Sequence, residues 1–107
     1  MFGMNQRTMT VREFTTQAQK SDFLKVIEEI DRLGCVPKNR NSTKFSIAYP
    51  PENPRFYPPK YVLMRAAEIR FGVHLSPCSG GRVTNTPLRD IFNFEIVDDH
   101  PSNIPEK

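Results

Sequence analysis

Carboxylate and imidazole side chains stand side by side in this chain at Asp98, Asp99 and His100. Two acids and a histidine can move protons, provided that a scaffold holds them at hydrogen-bond distance. These three open the segment "DDHPSNIPEK", which is acidic and proline-rich, so a solvated, disordered end is the better reading. Cys78 stands beside Ser79 with no identifiable base, which suits a packed loop thiol better than a nucleophile. His74 and His100 stand alone, and no Cys or His set has zinc spacing. "SGG" at 79 to 81 precedes a helical pattern, and its backbone N–H groups could receive a phosphate oxygen, although three such residues also make an ordinary tight turn. There is no phosphate-binding loop of the Walker kind and no nucleophile elbow. The expectation is a binding protein and not an enzyme, with no metal and no cofactor.

Charge gives a stronger indication. Net charge is +3, but residues 32 to 89 hold ten Lys/Arg against Glu52 and Glu68, a local balance of +8. The rest of the chain holds five basic and ten acidic residues. A basic middle between acidic ends suits a surface that meets an anion, most often nucleic acid; scattered solvating charge is the plain alternative. Phe45, Phe56, Tyr57 and Tyr61 are interleaved with Lys44, Arg55 and Lys60, a mixture that can stack on or clamp nucleic acid. Phe45 and Phe56 are expected in the core, leaving Tyr49 or Tyr57 exposed.

The elements that would position these residues follow from spacing. The chain of 107 residues, 37% hydrophobic, suits one small domain. Residues 1 to 20 read as a flexible arm, with a possible capping box in "TVRE". In "SDFLKVIEEIDRL", residues 21 to 33, Phe23, Val26, Ile27, Ile30 and Leu33 make one helical face; Ser21 or Asp22 caps it and Gly34 stops it. "KFSIAYP" alternates as a half-buried strand, with "RFYP" expected to pair with it as an edge hairpin. "YPPK" then turns a strand into a helix. Proline is legal at the first helical position, so the helix should run from Pro59 to Phe71, with Gly72 as a left-handed stop. In "TPLRDIFN", Thr84 or Thr86 caps a short helix, Pro87 belongs in its first turn, and Asn93 ends it. "FEIV" is a last strand. The fold class is α+β, with the compact part at 21 to 98 and a disordered tail at 99 to 107. No apolar run reaches transmembrane length and no signal peptide is evident, so a cytoplasmic protein with Cys35 and Cys78 as free thiols is expected.

Several of these residues match a known pattern in order. Tyr57, Pro58, Pro59 and Lys60, then Ser79, Gly80 and Gly81, then Thr84, Asn85, Leu88, Arg89 and Phe94 resemble the head domain of McrA-type, modification-dependent HNH restriction endonucleases and related restriction proteins. The resemblance covers about Phe23 to Val97, with Cys78 where that pattern has Phe and Asn93 where it has Gly. It implies a DNA-associated recognition or accessory module linked to restriction or phage defence, without the nuclease itself. The expected partner is duplex DNA, plain or modified; the alternative is a protein-docking module that engages or inhibits a nuclease subunit. No membrane partner is expected. The expected DNA-contacting residues are Lys38, Arg40, Lys44, Tyr57, Lys60, Ser79, Gly80, Gly81, Arg82, Asn85 and Arg89. Lys60 would share a phosphate with the backbone N–H groups at the start of its helix.

Overall fold

The computed structural model describes residues 7–76 and 82–107. Among these residues the elements are, in chain order, β1 (Thr8–Met9), α1 (Val11–Gln17), α2 (Lys20–Leu33), β2 (Phe45–Tyr49), β3 (Arg55–Tyr57), α3 (Pro59–Phe71), β4 (His74–Leu75), α4 (Arg82–Asp90) and β5 (Glu95–Asp98). The fold class is α+β, as expected. No helix among the described residues is long and apolar enough to cross a membrane.

Helices α2 and α3 follow their sequence signals. α2 buries Phe23, Val26, Ile27 and Ile30 on one stripe, and Gly34 ends it at φ 72°. Its start differs by a residue or two: Gln19 is the cap, and its N–H donates to the Asp22 carboxylate at 2.9 Å. Leu33, expected inward, is 58% exposed, because the helix turns its last residue past the edge of the core. α3 begins with Pro59 and ends at Gly72, φ 64°, burying Val62, Leu63, Ala66 and Ala67. Pro58 and Pro59 have no N–H to lose, so the two prolines start this helix at no hydrogen-bond cost.

The sheet is larger than the expected edge hairpin. Three antiparallel strands lie in the order β3-β2-β5, which makes β2 the central strand. Ile47 sits between Tyr57 on β3 and Ile96 on β5. The alternation along β2 holds, but both of its faces are covered: Ser46 is fully buried, and its hydroxyl donates to the His100 carbonyl at 2.6 Å. A strand with strands on either side and chain packed over its second face loses the exposed face that alternation implies.

The expected short helix in 84 to 93 starts earlier, at Arg82, so Pro87 lies inside it and not in its first turn. The missing Pro87 N–H leaves the Val83 carbonyl without its helical i+4 donor. Asn93 adopts φ 60° and reverses the chain, with its N–H on the Arg89 carbonyl at 3.1 Å.

The two ends also depart from expectation. Within the arm, Thr10 and Glu13 form the full capping box, and α1 inserts Phe14, fully buried, edge-on against Phe23 and Phe71. β1 pairs in parallel with β4. The tail at 99 to 107 is docked and not disordered. Ser102 is buried, and Val36 exchanges backbone bonds with Pro105 and Lys107, both at 2.9 Å. The docking energy comes from hydrogen bonds to the loop at 35–44, which composition does not reveal. Cys35 is a free thiol; Cys78 lies outside the described residues.

Candidate nucleic-acid interface

The basic middle is sorted by the helices. α2 carries Asp22, Glu29 and Asp31, and these acids take up three of the arginines. The Arg65 guanidinium forks onto Glu29 at 2.9 and 3.0 Å and also bonds Glu68. Arg70 holds the buried Asp22 at 2.9 Å, and Arg55 lies 3.5 Å from Asp31. The Arg65 hydrogen bond outweighs burial and holds the Glu29 pKa below its ordinary value. Arg40, Lys44, Lys60 and Arg82 form no ion pair among the described residues, so they remain available to an external anion.

Three of these four cations meet at one cleft. The loop before β2 supplies Arg40 and Lys44, and the start of α3 supplies Lys60. Together with Phe45, Tyr61, Thr84 and Asn85 they line a cavity of about 410 Å3. No carboxylate is among its lining residues. The Pro-Pro corner aims the positive end of α3 at the same space. The first bond across the helix start runs from the Val62 N–H to the Pro58 carbonyl at 3.0 Å, so the N–H groups of Lys60 and Tyr61 lie ahead of the helical ladder. Lys44 also leans over the Phe45 ring, with Nζ 5.5 Å from its centroid.

A second cleft of about 330 Å3 adjoins the first and shares Phe45 and Asn85 with it. It adds Arg82 and Arg89, and one acid, Asp98. Arg89 is partly neutralised by Asp90 at 3.0 Å. On the other side, Arg40 also borders a cleft of about 550 Å3 that contains Lys38, with Leu33, Cys35 and Met64 along its walls.

The expected site residues therefore separate into groups. Arg40, Lys44, Lys60 and Asn85 converge; Arg82 and Arg89 extend that surface; Lys38 flanks it. Tyr57 does not belong to it. It is 2% exposed, and its hydroxyl donates to Asp31 at 2.7 Å. Burial, and then that carboxylate, push the phenol's pKa up. The reason is register: Tyr57 shares the inner face with Ile47, so Phe56 takes the outer one and stacks on His100 at 3.7 Å. Phe45 and Phe56, expected in the core, are both half-buried. Ser79, Gly80 and Gly81 lie outside the described residues.

Two contributors were not expected. Phe45 joins the two clefts, a role visible only as its adjacency to Lys44. Asn41 holds the basic loop in place through the C-terminal segment, and nothing in "KNRNST" marks it. No family model, no curated protein and no solved structure matches the chain.

Proposed function

We propose that this protein binds DNA through the groove that runs from Arg40 across Lys60 and Phe45 to Arg82, as a recognition or accessory module associated with restriction or phage defence. The observation that carries the reading is the sorting of charge. Acids of α2 pair with Arg55, Arg65 and Arg70, while Arg40, Lys44, Lys60 and Arg82 line two adjoining clefts without ion pairs among the described residues. Such a surface attracts phosphates, and the counterions released on binding supply the affinity. The ordered resemblance of "YPPK" and the Thr84–Arg89 segment to restriction head domains agrees with this use. The proposed role is binding, with cleavage left to another protein or domain.

The test is anisotropy of a labelled duplex at low salt, with plain and cytosine-methylated DNA in parallel. Binding that weakens steeply with salt supports the reading, and a methylation preference would define the recognition role. If neither duplex is retained at low salt, the DNA reading fails. One observation favours the docking alternative in that case: Leu33, 58% exposed, borders the flanking cleft beside Cys35 and Met64.

A further inference from the structure

At the floor of the groove lies an arrangement that phosphate binding does not use. Asn85 is only 6% exposed and lines both clefts. Its side-chain amide makes no hydrogen bond among the described residues, and no buried side-chain polar atom among them lacks a partner, so the amide N and O are open to the cleft. A carboxamide held in this way offers a ligand two donors and an acceptor with two lone pairs. Half-buried Phe45 stands next to it in both clefts. Arg40, Lys44 and Lys60 surround the same space.

We infer that this cleft takes one unpaired nucleotide, its base against the Phe45 ring and read by the Asn85 amide, its phosphates held by Arg40, Lys44 and Lys60. The inference rests on the DNA-binding reading and deepens it. Depth decides between paired and unpaired DNA. Residues that read a paired base project into a groove of the duplex, as a helix or β-ribbon does. Asn85 is recessed, so a base edge reaches it only by leaving the stack and entering the protein. The volume agrees: about 410 Å3 is in the range of small-ligand pockets, and a duplex can only cross its mouth. An amide beside an aromatic ring offers the two contacts that a single base needs, stacking on its face and hydrogen bonds at its edge.

The experiment compares three labelled DNAs of one sequence: fully paired, carrying one unpaired nucleotide as a bulge, and carrying an abasic bulge at the same position. The parent protein should bind the bulged duplex about tenfold more tightly than the abasic one, the worth of one or two well-made hydrogen bonds and a stacked ring. Asn85→Ala and Phe45→Leu should each reduce that difference. Equal binding of the bulged and abasic duplexes overturns the inference while leaving the groove reading intact, and this comparison needs no variant to fold. Persistence of the full difference in folded Asn85→Ala also overturns it. Failure to bind any of the three DNAs at low salt overturns the groove reading and this inference with it.

Discussion

Asn41 grips the backbone of Ile104 on both sides: its Nδ2 donates to the Ile104 carbonyl at 2.7 Å, and its Oδ1 accepts the Ile104 N–H at 3.1 Å. The same Oδ1 accepts the Ser102 hydroxyl at 2.9 Å. One side chain thus fastens the C-terminal segment to the loop that carries Arg40 and Lys44, and the fastening fixes where those cations stand.

Asn41→Ala should therefore cost about 2 kcal/mol of stability, the worth of two or three half-buried hydrogen bonds. Its effect should be local. Amide exchange at Ile104 and Val36 should accelerate by more than about tenfold, with little change in α3. Duplex DNA affinity should fall as the basic loop loosens. Unchanged exchange at both amides would show that the segment is held by something else.

Tyr57→Phe removes the hydroxyl that donates to Asp31 and leaves the ring in the core. Denaturant unfolding should show a loss of about 1 kcal/mol. DNA binding and its salt dependence should stay as in the parent, because Tyr57 is buried away from the groove. A loss of DNA affinity with stability retained would return Tyr57 to the interface.

How legible this was depended on the kind of signal. α3 could be bounded at both ends because proline and glycine act through the backbone alone: Pro59 fits only a helix start, and Gly72 takes a φ that other residues resist. α2 followed from its apolar spacing. The burial of Tyr57 was not legible, since a strand of three residues cannot say which of Phe56 and Tyr57 faces inward; its pairing with Ile47 decides. The docked tail was hidden for a different reason. Its contacts are polar and lie about sixty positions away in sequence, as in Ser42 to Ser102, and they leave no periodicity to read. For the site, charge identified Arg40, Lys44 and Lys60, but only the fold separated them from Arg55, Arg65 and Arg70, which acids of α2 neutralise.

The Glu29–Arg65 fork should be visible in acid. The folded pKa of Glu29 lies below its ordinary 4.5, so its contribution is fully present above that value and disappears as pH falls through the folded pKa. Glu29→Gln should lower stability by about 1 kcal/mol at neutral pH. That deficit should shrink below about pH 4.5, as the parent's own carboxylate protonates. An equal deficit at neutral pH and in strong acid would mean that the fork contributes packing and no charge interaction.

The most direct measurement is the salt dependence of duplex binding by the parent, Arg40→Ala, Lys60→Ala and, as control, Lys25→Ala, an exposed lysine of α2 that lines neither cleft of the groove. Each phosphate neutralised adds about −0.9 to the slope of log affinity against log salt. Arg40→Ala and Lys60→Ala should each weaken binding and flatten that slope by about one unit, with unfolding stability changed by no more than about 0.5 kcal/mol. Lys25→Ala should bind as the parent does. Four proteins with the same slope, or a parent that does not bind duplex DNA at low salt, would contradict the groove as a DNA surface.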